Sequence, residues 1–133
     1  MERRTYFKTI LALLAGGASR AKAAETIPKG AIQLHLDMKV APGKEQQMLK
    51  SFKEVFRPTA AQQPGYIGLE MLKLRSAVQG AAPAAGNFRF VLTFASEEAR
   101  QKWVATAAHQ KVWPMIEGTM PDKNYTVLVY DIT

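Results

Sequence analysis

The sequence predicts an α+β domain: a four-stranded antiparallel sheet with two helices on one face, in the order β-α-β-β-α-β of the split βαβ ferredoxin-like arrangement. Three observations predict it. Ala31 to Val40 alternates strictly, with Ile32, Leu34, Leu36, Met38 and Val40 on one face and Gln33, His35, Asp37 and Lys39 on the other. Two later stretches carry apolar residues at helical spacing instead. Strand-like runs follow each of them, so the second half of the domain repeats the logic of the first.

Taken in order, the first strand ends at Pro42-Gly43. Lys44 to about Gln63 reads as a helix on the spacing of Met48, Leu49, Phe52, Val55 and Phe56, with Pro58 expected to kink or interrupt it. Pro64-Gly65 ends it. Tyr66 to Arg75 is a second strand, with Ile67, Leu69 and Met71 opposite Tyr66, Leu72 and Leu74. Ser76 to Asn87 is small and flexible in composition, longer than an ordinary hairpin loop, and serves as either a lid or a mobile tip. Phe88 to Phe94 is the third strand. Ser96-Glu97-Glu98 opens the second helix, Ser96 as N-cap and the acids in the first turn. Pro114 argues against one unbroken helix from there to Glu117. A break near Ala105 to Ala108 is expected, and a restart with Pro114 in a first turn. Gly118 to Asn124 is a loop and Tyr125 to Ile132 the last strand.

Two helices cover only one face of such a sheet. The last strand nevertheless carries Val127 and Val129 on one face and Leu128, Tyr130 and Ile132 on the other. At ~25 cal/mol per Å² of apolar surface removed from water, a second sheet laid over these side chains would contribute several kcal/mol before association costs. A sheet-to-sheet homodimer is therefore expected, since a monomer would leave an apolar patch in water.

The chain has 133 residues, room for one domain. It has no cysteine, which excludes disulfides, thiolate metal sites, a cysteine nucleophile and a lipidated cysteine. The net charge of +7 is largely local. Residues 1–23 hold five basic side chains and one acid, and the remainder 13 basic and 10 acidic. No basic run interleaved with aromatics appears, so nucleic acid is not an expected partner.

Residues 1–23 read as an export signal rather than as part of the fold. Arg3-Arg4 precede Tyr6-Phe7-Lys8, an apolar stretch runs from Thr9 to Ala18, and Ala21-Lys22-Ala23 supplies an A-x-A site. That stretch is well short of the roughly 20 residues of a spanning helix. Paired arginines point to the twin-arginine route, with cleavage after Ala23 and a periplasmic or secreted product. An amphipathic first helix and an uncleaved tether are the competing readings. Residues 24–30 are then a lead-in and 31–133 the domain. No membrane association beyond the signal is expected.

Val40-Ala41-Pro42-Gly43-Lys44, Gln63-Pro64-Gly65-Tyr66, Phe88-Arg89-Phe90, and Ser96-Glu97-Glu98-Ala99 through Trp103 to His109 together resemble the antibiotic biosynthesis monooxygenase family of dimeric α+β barrels. The resemblance covers about residues 31 to 132. It implies a homodimer and a pocket between sheet and helices. Monooxygenases of the family act without metal, flavin or haem on electron-rich aromatics such as anthrones and quinols. The substrate is deprotonated and its anion passes an electron to O₂. Such a site needs an apolar box, a general base and donors for the developing oxyanion.

On that resemblance Trp103 is a wall stacked on a flat substrate, or a core tryptophan. His109, six positions on, is the candidate base, since a neutral imidazole accepts a proton near neutrality; otherwise it is a hydrogen-bonded residue of the helix break. Tyr66 and Arg89 are candidates to hold the oxyanion. Tyr125 and Tyr130 are further donors, although strand tyrosines mostly pack. Arg89 alternatively pairs with Glu70, and Trp113 is a second wall or a helix anchor. His35 lies on the polar face of its strand, towards solvent or an interface. The haem-degrading branch of the superfamily uses a first-strand asparagine, where this chain has Leu36, and a longer spacing than Trp103 to His109. These departures argue against haem, and with no clustered metal ligands in the sequence no cofactor and no metal are expected. Two functions follow: cofactor-independent oxygenation of a small quinol- or anthrone-like compound, or a non-catalytic small-molecule-binding or accessory dimer of the cell envelope.

Overall fold

A computed structural model describes residues 27–133. The proposed export signal and the first residues of the lead-in lie outside the described residues. Within them the elements are β1 (Ile32–Met38), α1 (Glu45–Ser51), a π-helical segment (Phe52–Phe56), α2 (Arg57–Ala60), β2 (Tyr66–Lys73), β3 (Phe88–Phe94), α3 (Glu97–Val104), α4 (Ala107–Glu117) and β4 (Thr126–Asp131). The strands form one antiparallel sheet in the order β2-β3-β1-β4. This is the expected ferredoxin-like α+β architecture.

Register fixes which side chains share a face. Leu34 stands opposite Leu92 and Val129, and Leu36 opposite Phe90 and Val127. The alternating apolar set of β1 therefore meets Phe88, Phe90, Leu92 and Phe94 on the helix side, where Met48, Phe52, Phe56, Trp103, Val112 and Ile116 close the core. Each such side chain contributes about 1.5–3 kcal/mol on burial.

Alternation placed Tyr66 opposite Leu69. A bulge between Tyr66 and Gly68 instead brings Tyr66 onto the face of Leu69, beside Phe94. A bulge inserts one residue and flips everything beyond it.

Pro58 does not interrupt its helix. The chain widens into the π segment just before it, so the carbonyls that a proline would strip of a donor are accommodated over a longer turn. The Thr59 hydroxyl donates to the Val55 carbonyl at 2.7 Å. Pro114 also differs from expectation. The break falls at Ala105–Thr106, as anticipated, but the restart is set by Thr106, whose hydroxyl accepts from the His109 N–H at 3.1 Å. Pro114 then lies in the interior of α4, not in its first turn. The N-cap was decisive, because it satisfies an otherwise orphaned donor and fixes where the helix begins.

Gly65 is required by its position. Its φ is +89°, and a Cβ there would stand 2.8 Å from the Ala99 methyl. The turn between α2 and β2 is thus pressed directly against α3.

The outer face of the sheet is less uniformly apolar than the sequence pattern implied. A polar stripe runs down its centre. Gln33 donates to Thr93 at 3.2 Å, His35 and Gln33 share a hydrogen bond of 2.7 Å, and Arg89 makes a two-pronged bond to Asp37 at 2.7 and 3.1 Å. Apolar rims flank it: Leu72 on β2, Leu128 and Tyr130 on β4, each about half exposed. Val127 and Val129 are also partly uncovered, on the helix side of β4.

Candidate functional site

The helix side of the sheet contains a cleft of about 160 Å³. Leu34, Leu36, Phe90 and Leu92 form its floor, Phe56 and Trp103 its back wall, and Arg100, His109, Trp113 and Tyr125 its rim. Six elements converge here, each presenting one or more residues of its helical or strand period to the same cleft. Phe56 is the hub. Its ring contacts Phe90, Trp103, His109 and Trp113 edge to face, with centroids 5.4 to 6.2 Å apart. Such contacts set ring orientation as well as adding to burial.

His109 sits in the first turn of α4, held there by the Thr106 cap. Its ring lies edge to face with Trp103 at 4.9 Å and stacked on Trp113 at 6.3 Å. Nδ1 is buried and has no hydrogen-bond partner. Burial, and then the nearby Arg100 charge, lower the His109 pKa below the ordinary 6.5. The imidazole is therefore neutral at neutral pH, with an uncommitted nitrogen, which is the state a proton acceptor needs.

Arg100 was not singled out by the sequence, where Glu97 and Arg100 look like an ordinary pair on a helix surface. Its Nε and Nη2 donate to Glu97 at 2.7 and 2.6 Å, and its side chain is only 17% exposed. That bond lowers the Glu97 pKa and raises that of Arg100. The signal available in advance was position: Arg100 precedes Trp103 by three residues, so both lie on one helix face. Tyr125 donates to Glu117 at 2.7 Å. Burial first, then that bond, raise its pKa, so the phenol stays protonated.

Of the site residues expected from sequence, His109, Trp103 and Trp113 are brought together. Trp103 is nonetheless a core residue, 2% exposed, and contributes one face to the cleft. Tyr66 is not among the side chains lining it. Burial raises the Tyr66 pKa, and the ring packs on Phe94. Arg89 lies on the other face of the sheet, because β3 alternates and Phe88 and Phe90 take the helix side; its partner is Asp37 rather than Glu70. Tyr130 is also on the outer face, its ring 4.9 Å from that of His35. Leu36 lines the cleft floor. Among the described residues no three His, Asp or Glu side chains converge on one point.

The family model described as Antibiotic biosynthesis monooxygenase matches residues 32–113, from β1 into α4. No curated protein matches the chain. Among solved structures, a dimeric ferredoxin-like protein of unknown function from Jannaschia sp. CCS1 superposes with a TM-score of 0.65 at 14% identity, covering 77% of this chain and 100% of that one. SnoaB, a cofactor-independent oxygenase from Streptomyces nogalater, gives 0.62 at 10% identity, covering 78% and 94%. A hydroxynitrile lyase from Passiflora edulis gives 0.65 at 9% identity, covering 80% and 96%. At these identities the three share the fold with this chain.

Proposed function

The chain belongs to the antibiotic biosynthesis monooxygenase family, and from that premise we propose that it oxygenates a small, electron-rich aromatic compound without a cofactor. The observation that carries the reading is His109: a neutral imidazole with a buried, unpartnered Nδ1, set between two tryptophans in an apolar cleft. SnoaB, with the same fold, is an oxygenase that needs no cofactor.

In this account a flat ring enters over the Leu34–Leu92 floor, beside the Trp113 ring that itself packs on Phe90. His109 takes a proton from a ring hydroxyl or from a methylene beside a ring carbonyl. The resulting carbanion or phenolate is oxidised by O₂. One oxygen atom becomes the new carbonyl and the other leaves as water with the two ring hydrogens, so the electrons balance without an external reductant. The cleft volume lies below the ~300–1,000 Å³ of drug-sized sites, which favours a compact quinol over a tricyclic anthrone.

The working unit is proposed to be a homodimer, with the outer faces of two sheets packed together. Leu72, Leu128 and Tyr130 supply the apolar rims, and the Asp37–Arg89 pair brings no unpaired charge into the interface. Export through the twin-arginine route, on the strength of Arg3-Arg4 and Ala21-Lys22-Ala23, would place that dimer in the periplasm or outside the cell.

Oxygen uptake with a panel of quinols and anthrones, metals chelated, tests the activity. Consumption above the buffer rate, with water as the co-product, is expected. Tight binding of the same compounds with no uptake would instead assign the cleft to a non-catalytic binding dimer.

A further inference from the structure

The charge distribution around the cleft points to a ligand class that the fold does not specify. Among the described residues lining it, Arg100 alone carries a charge, and no carboxylate faces it. The acids nearest the site are both turned elsewhere. Glu97 bonds Arg100 with a side chain 39% exposed to solvent, and Glu117 takes the Tyr125 hydroxyl without lining the cleft.

Arg100 is thus held rather than satisfied. Its Nε and Nη2 are fixed by Glu97, while Nη1 has no hydrogen-bond partner among the described residues. A guanidinium anchored on one edge keeps donors on the other in a preset fork, the geometry that carboxylates and phenolates match best. Its charge is felt inside the site, since it helps depress His109. Screening is weak beside an apolar floor, so an anion there gains more than it would at the surface.

We propose that the cleft selects a flat aromatic anion of one or two rings. Its carboxylate or phenolate sits on Arg100 and its ring lies over the Leu34–Leu92 floor, beside Trp113. Arg100 is then a specificity-determining residue, and Glu97 positions it. The proposal rests on the reading of this cleft as a ligand site, but holds whether or not the bound compound is turned over.

The test is calorimetric titration of the full-length protein at neutral pH with two probes of the same outline, naphthalene-2-carboxylate and the neutral naphthalene-2-carboxamide. The carboxylate is expected to bind at least about tenfold more tightly. Arg100→Gln should abolish that preference, and Arg100→Lys should keep part of it as a point charge. Equal affinities for the unmutated protein would overturn the proposal and leave the cleft as a ligand site, as would a preference that survives in a folded Arg100→Gln protein. Binding of neither probe would remove both. The comparison of the two probes on the unmutated protein needs no variant, so a poorly folding Arg100→Gln does not weaken it.

Discussion

His109 meets Trp103 edge to face, with ring centroids 4.9 Å apart and planes at 87°. The imidazole presses on a tryptophan that is itself 2% exposed, so the candidate base is mounted on the core rather than on a loop. Function and stability are coupled at this contact. Trp103→Ala is therefore expected to cost about 3–5 kcal/mol of folding stability, a large part of the ~5–15 kcal/mol of a typical domain. Urea unfolding monitored by circular dichroism measures it. A loss below 1 kcal/mol, on the order of an exposed substitution, would show that Trp103 serves the cleft alone.

Acid should loosen the fold through the same histidine. Burial and Arg100 depress the folded-state His109 pKa below 6.5, so the unfolded chain binds the proton more readily. Stability from this group is complete above 6.5 and is lost as pH falls from there through the folded value. His35 acts in the same direction, through burial and Arg89, against a smaller opposing effect of Asp37. Thermal melting at pH values on either side of that window should give a lower Tm on the acid side. His109→Gln should narrow the difference, and a difference unchanged in that variant would rule out His109 as its source.

The outer sheet face makes a prediction about assembly. Tyr130 projects from it beside His35, with half of its surface exposed. Light scattering of the purified protein should report a dimer, and Tyr130→Asp should give monomers or aggregates, because a carboxylate would be buried against the facing sheet without a partner. A monomeric unmutated protein would contradict sheet-to-sheet packing.

Much of the fold was legible because its signals are local. Strict alternation in β1 fixed both the strand and its buried face, Ser96 announced α3, and Pro42-Gly43 and Pro64-Gly65 marked the ends of the first helical stretch. Pro114 misled, because the deciding cap was Thr106, eight residues earlier. The bulge after Tyr66 left no trace in the alternation, and it moved that tyrosine to the other face of β2. The site was legible in part. His109 and Trp113 follow the helical period within α4, and Trp103 meets them across the break at Ala105–Thr106. Arg89 fails because β3 alternates: Phe88 and Phe90 take the helix side and send it to the far face, which the alternation along that strand already implies. Arg100 went unnoticed because an i,i+3 pair with Glu97 looks the same in sequence whether it lies in solvent or at the rim of a cleft.

Export can be checked independently of the fold. Replacing Arg3 and Arg4 together with lysine should retain the protein in the cytoplasm in a fractionation assay. Unchanged delivery would remove the twin-arginine reading and leave the domain account untouched.

The central claim is that His109 is the base of an oxygenation site. The most direct measurement is the pH profile of kcat/KM for oxygen uptake in the unmutated protein and in His109→Ala. A required neutral base gives a limb that rises with pH, with its midpoint below 6.5, following the depressed imidazole. That limb is expected in the unmutated protein. Its absence is expected in His109→Ala, together with a fall in rate of at least about tenfold, a lower bound set beneath the ~10²–10⁴ that a positioned acid–base group typically supplies. An identical limb and an undiminished rate in a folded His109→Ala protein would contradict it.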